Sequence, residues 1–165
     1  VTLQYGQPNI NFMPAGSLFE AGIGPVPVPI VGAAVTPLPL QDVKSTSDLI
    51  SHVPGSSEIE FLAGGTACVS WRVSIGVASG QRKNSQTALY LDSGSGFLPV
   101  DLTFGYGYHR NVLAGRDTTT GFTRFAVEAG DKIEVASQRI VGTGNLEYIA
   151  SSSFVMAGLI AGVYP

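Results

Sequence analysis

The sequence predicts an all-β protein built as a two-sheet sandwich or jelly roll, on three observations. Residues 66–77 read TACVSWRVSIGV, with Ala67, Val69, Trp71, Val73, Ile75 and Val77 at odd positions and Thr66, Cys68, Ser70, Arg72, Ser74 and Gly76 at even ones. Successive strand side chains point to opposite faces, so this is a long strand with one apolar face and one polar or small face. Shorter apolar runs elsewhere are separated by clusters of Gly, Pro, Ser and Asp, the residues that turns require. No segment carries an apolar stripe at helical spacing.

The elements follow in chain order. Residues 1–25 scatter Leu3, Tyr5, Ile10, Phe12, Met13, Leu18 and Phe19 among Gly, Pro and Asn, with no Lys or Arg and no sustained period. Apolar surface of this kind costs about 25 cal/mol per Å² if left in water. These residues are therefore expected to form an arm that docks on a partner, while residues 26–165 form the jelly-roll domain. Residues 26–40, VPVPIVGAAVTPLPL, are too rich in proline for a helix or a central strand and suit a sheet edge. Short strands are expected at 58–62 and 86–91, an extended stretch at 97–104, a polar loop at 80–85 and a long loop at 105–121.

Residues 122–128 and 132–137 are expected to pair as a hairpin about Ala129, Gly130 and Asp131. Phe125, Val127, Ile133 and Val135 would then face inward, and Arg124, Glu128, Lys132 and Glu134 outward. The last strand begins near Leu146 and is apolar on both parities: Leu146, Tyr148, Phe154, Met156 and Ile160 on one, Ile149, Val155, Ala157 and Leu159 on the other. A strand covered on both faces needs more than a two-layer sandwich, which points to a second subunit as the other cover. Tyr148, Phe154, Val155, Met156 and Leu159 are the expected contacts between subunits.

Composition narrows the function. Charged residues make up 13% of the 165, about half the usual share, and apolar residues 44%, too many for a disordered chain. A net charge of −3 with nine Lys plus Arg offers no footprint for nucleic acid. No apolar run reaches the roughly 18 residues that a membrane-spanning helix needs, so no membrane insertion is expected.

Candidate chemistry is sparse. His52 and His109 fall in separate segments and no Gly-x-Ser-x-Gly elbow occurs, so no catalytic triad is expected. There is no His-x-x-x-His or Cys-x-x-Cys pair to hold zinc, and Asp92, Asp101, Asp117 and Asp131 lack the spacing of a known calcium loop. No metal or cofactor is expected. Cys68 has no partner for a disulfide and falls on the small face of its strand, where a structural thiol is expected. GTGNLE at 142–147 has two glycines of a dinucleotide loop but precedes a strand, so it is a turn. The segment FGYGYHR at 104–110 sets Tyr106, Tyr108, His109 and Arg110 on a glycine-flanked stretch, a candidate surface for a protein partner or a host-surface glycan.

The runs EIEFLAGGTACVSWRVSI, TALYLDSG, GFTRFAVEAGDKIEVAS and YIASSSFVMAGLIAG, in that order and spacing, resemble the tumour-necrosis-factor/C1q-like jelly-roll family. The bacterial and bacteriophage branch, with the C-terminal domains of collagen-like surface glycoproteins, is the nearest in pattern. The sequence departs from that pattern at Glu128, where an apolar residue is usual before the Ala-Gly-Asp turn. The resemblance implies a non-enzymatic homotrimer in which one sheet of each subunit faces a threefold axis. It further implies a display protein on the outside of a bacteriophage virion, decorating the capsid or heading a short fibre, attached to a capsid or other virion protein through the arm. A bacterial surface or spore-coat ectodomain and a glycan-binding fibre tip are the alternatives.

Overall fold

A computed structural model of the protein describes residues 18–79, 82–110 and 115–160. Fourteen strands run through these residues in chain order: β1 Leu18–Gly22, β2 Val28–Ile30, β3 Thr36–Pro37, β4 Asp42–Ser45, β5 Ile50–His52, β6 Ile59–Phe61 and β7 Gly65–Val77, then β8 Lys83–Asp92, β9 Leu98–Pro99, β10 Gly105–His109, β11 Asp117–Val127, β12 Lys132–Val141, β13 Leu146–Tyr148 and β14 Phe154–Ile160. All pairings are antiparallel.

The long strand β7 organises sheet A. Eleven register pairs join β11 to one of its edges, while β14 and β13 follow one another along the other. Beyond them β1 pairs β14, β2 pairs β13, and β4 pairs β1. Sheet B runs β10-β8-β12-β6-β5, with β9 on β8 and β3 on β12. The odd residues of β7, from Ala67 to Val77, are buried between the sheets as the alternation requires, and Trp71 keeps only 3% of its surface. Facing them from sheet B are Ile59, Phe61, Leu89, Ile133 and Val135.

Four expectations are corrected by the fold. The arm ends sooner than residue 25: Leu18–Gly22 is the strand β1 between β14 and β4, and Phe19 lies in the core. Leu3, Tyr5, Ile10, Phe12 and Met13 fall outside the described residues. Second, residues 122–128 and 132–137 do not form a hairpin. Strand β11 pairs β7 in sheet A and β12 pairs β8 in sheet B, so the turn crosses from one sheet to the other. Asp131 holds that turn by accepting the Glu128 N–H at 2.9 Å, and its backbone locks onto Phe61 of β6. Third, Glu134 keeps the outward parity, opposite to Ile133 and Val135, but it is not exposed. It is buried, accepts a bond from Ser57 Oγ at 3.0 Å, and has its carboxyl pushed above the usual range by that burial.

The fourth correction concerns the last strand. Tyr148 and Phe154 are six residues apart, yet they face Ile75 and Arg72, which are three apart on β7. The excess is odd, so parity reverses between β13 and β14. Leu146 and Tyr148 point inward before the break, and Val155, Ala157 and Leu159 point inward after it. The three serines of the break satisfy the backbone there: Ser74 N–H donates to Ser153 Oγ at 3.0 Å, Ser74 Oγ donates to the Ser152 carbonyl, and Ser151 takes a φ of 55°. Much of the two-sided apolar pattern is therefore one face read across a parity change.

Candidate functional site

The parity change redistributes the residues expected between subunits. Tyr148, Val155 and Leu159 are buried in the core of the single chain, and the Tyr148 hydroxyl donates to the Thr36 carbonyl. They cannot be contacts on its surface. Phe154 and Met156 remain outward on sheet A, joined by Ile160 of the same parity, all half-buried.

Register builds the rest of that face. One row across β11, β7, β14 and β1 reads Phe122, Ser70, Met156, Glu20. The next row toward the start of β7 reads Arg124, Cys68, Gly158, Leu18, and the one on the opposite side reads Thr120, Arg72, Phe154. Phe122 stands 67% exposed, and Leu18 is exposed as well. Small residues in the middle of the face, Ser70, Cys68 and Gly158, leave it low between the apolar side chains at either side. Arg72 and Arg124 are exposed beside them. At one end, a depression of about 520 Å³ is lined by Glu20, Asp42, Lys44, Arg72, Phe154 and the serines of the break. Lys44 pairs with Asp42 there at 2.5 Å. The Cys68 thiol is buried and held above its ordinary pKa by that burial, with Arg124 acting against it.

The histidines are held by structure. His52 lies between two carbonyls, Nδ1 2.8 Å from Glu58 and Nε2 2.9 Å from Leu40, with its ring centroid 5.2 Å from that of Phe19. His109 is fully buried on the inner face of β10. Its Nδ1 faces the Gly115 carbonyl at 3.2 Å and its Nε2 faces Ser85 Oγ at 2.8 Å. In the neutral ring Nδ1–H donates to Gly115 and Nε2 accepts from the serine. Burial holds this imidazole below its ordinary pKa; the Gly115 carbonyl and Asp117 work against that, and Lys83 adds to it. A serine and histidine in hydrogen-bond contact are the beginning of a nucleophile and base, but both sit inside the sandwich without solvent contact.

The FGYGYHR segment is a strand, not the expected loop: Gly105–His109 pairs β8 at the edge of sheet B. Tyr106 and Tyr108 point to solvent while Gly107 and His109 point inward. A Cβ on Gly107 would lie 2.8 Å from Ser85 Oγ, 3.1 Å from His109 Nε2 and 3.2 Å from Asp117 Oδ2, so only glycine lets the strand lie this close. Asp117 also accepts the Tyr108 N–H at 3.0 Å. Asp92 is a turn acceptor, taking the N–H groups of Gly94 and Gly96 at 2.8 Å each. Among the described residues no group of three or more His, Cys, Asp or Glu converges on a point.

This geometry has solved counterparts. Eiger TNF from S. frugiperda is similar with a TM-score of 0.64 at 9% identity, over 90% of this chain and 94% of that one. Murine APRIL at pH 8.0 gives 0.61 at 10% identity, over 87% and 98% of the two chains, and murine APRIL at pH 8.5 gives 0.59 at 11% over 87% and 99%. The chain has the TNF-like jelly-roll fold. No protein-family model matches the sequence, and no curated protein matches it.

In this TNF-like jelly roll, sequence reasoning missed Phe122 as part of the outer face. The signal was present: Phe122 has the parity of Thr118, Thr120 and Arg124, opposite to that of Phe125 and Val127, which were expected inside. Ile160 was missed in the same way, since it shares the parity of Phe154 and Met156 within one strand.

Proposed function

We propose that this protein is a non-enzymatic structural module that assembles as a homotrimer through the outer face of sheet A and displays sheet B. The observation that carries this is Phe122, 67% exposed in the middle of a strand and in one row with Met156 on a face that also bears Phe154, Ile160 and Leu18. Apolar side chains grouped on one sheet face mark an interaction surface. A face made by one patch of one chain is suited to closed rotational symmetry. The sequence resemblance adds the threefold axis. It also supports the finer reading, display on the outside of a bacteriophage virion, with residues 1–17 attaching the trimer to the particle.

Light scattering on the purified protein at micromolar concentration should give the mass of three chains. Phe122→Asp and Met156→Asp should shift it to monomer without loss of β-sheet signal, since an unpaired charge in a dry interface costs roughly 3 to 5 kcal/mol. Val155→Asp should instead unfold the chain, because that side chain belongs to the core. A stable wild-type monomer, or variants that stay trimeric, would overturn the assembly. Removal of residues 1–17 should leave a trimer that no longer decorates its particle; unchanged attachment would place the docking surface on the jelly roll.

A further inference from the structure

We propose that the outer face of sheet B at β10 is a binding strip for a neutral oligosaccharide chain, with Tyr106 and Tyr108 as stacking platforms. The two tyrosines are 65% and 52% exposed, stand on one face of a strand, and are about 6.8 Å apart along it. Gly105 and Gly107 between them press β10 onto the sandwich, since a Cβ on either would run into Thr119 or into the Ser85–His109 pair. The rings are thus carried on a strand fixed by its own packing, not on a mobile loop.

Beside the rings runs a row of amides. Gln138 Nε2 donates to Gln86 Oε1 at 2.7 Å, and Gln86 Nε2 donates to the Tyr106 hydroxyl at 3.2 Å. In the neighbouring row, Asn84 stands opposite Tyr108. Each amide keeps donors and acceptors unused by this chain of bonds, fixed in direction by those that are used. Sugar hydroxyls need both kinds at once, and the C–H face of a pyranose ring suits the negative face of an aromatic ring. Tyr106, Tyr108, Gln86, Gln138 and Asn84 carry no charge, which selects a neutral occupant. Arg110 is exposed just past the end of the strand, so an acidic sugar that used it would be held at the rim and not on the strip. The strip lies on the sheet opposite to the proposed trimer face and requires no second subunit, so its test stands apart from the oligomeric state.

The test is a panel of immobilised linear hexasaccharides, neutral ones built of glucose, N-acetylglucosamine, mannose or galactose and sialylated ones, probed with the full chain and with Tyr106→Ala, Tyr108→Ala and Gln86→Ala. Each tyrosine is largely in solvent, and thermal unfolding run in parallel confirms that the variants fold. At least one neutral hexasaccharide should bind, with affinity falling about tenfold for each tyrosine variant and less for Gln86→Ala. The same losses should appear in Met156→Asp protein whether it is monomeric or not, on a surface sparse enough to suppress multivalent binding. No binding to any neutral member, binding confined to sialylated members, or binding unchanged in both tyrosine variants would overturn the proposal. If a crosslinker at position 106 captures a protein while all sugars fail, the strip is a protein contact and the proposal is equally overturned.

Discussion

Gly121 lies directly across from Trp71 in the β11–β7 ladder, and the indole ring covers it. A Cβ added to Gly121 would fall 2.0, 2.4 and 2.5 Å from the ring atoms Cζ2, Cε2 and Cη2 of Trp71, where ordinary contact needs more than 3.4 Å. The ring would have to move by over an ångström in a site that leaves it 3% exposed. Overpacking of this kind costs about 1 to 3 kcal/mol. Alanine in a strand recovers roughly 0.5 to 1 kcal/mol relative to glycine, so Gly121→Ala should destabilise by up to about 2.5 kcal/mol net. In a Trp71→Leu background the colliding atoms are gone and the same substitution should be neutral or stabilising. Trp71→Leu alone loses core volume, but it also removes Trp71 Nε1, a buried N–H with no hydrogen-bond partner among the described residues. The assay is urea unfolding followed by far-UV circular dichroism at fixed protein concentration, because assembly would make the midpoint concentration-dependent. The double-mutant cycle should give a coupling of at least about 1 kcal/mol. If Gly121→Ala is neutral in both backgrounds, the ring does not lie over β11 and the face assignment of the longest strand is wrong.

Two further predictions concern titrating groups. His109 is held below its ordinary pKa mainly by burial, so as pH falls below about 6.5 the unfolded chain takes up a proton before the native chain does. Stability is then full above that pH and falls on acidification by at most about 1.4 kcal/mol per pH unit from this group. Urea midpoints of wild type and His109→Gln should diverge between pH 7 and 5, with wild type losing more; parallel curves would contradict the assignment. Burial raises the Cys68 thiol pKa, so alkylation by iodoacetamide at pH 8 should be slow in native protein, fast in urea, and faster in Met156→Asp than in wild type if assembly covers it. Rapid alkylation of the native wild type would show that the face is open.

How much of this was legible in the sequence depends on the range of the interaction that fixed each feature. Local alternation placed Trp71 and its odd neighbours in the core, because a strand's two faces are set by backbone geometry alone. The turn at Asp131 was equally local, since its carboxylate bonds a backbone N–H three residues away. Whether the strands on either side of that turn pair with each other was not local. Strands β11 and β12 each satisfy the same alternating pattern in a hairpin or in opposite sheets, and only the partners β7 and β8, distant in sequence, decide between them. The Tyr106/Tyr108 segment looked like a loop because its glycines weaken strand propensity; they are there for close packing on Ser85, His109 and Asp117. The last strand shows the limit most directly. Its residues announced burial, but the side to which each points depends on an odd number of extra residues in a serine turn, and that number is fixed by hydrogen bonds to Ser74. Composition and period thus determined an all-β sandwich and the inward face of its central strand. Which apolar residues of the last strand were left outward was decided only by the long-range pairing, because a side chain's direction depends on register and register is set by strands far away in sequence.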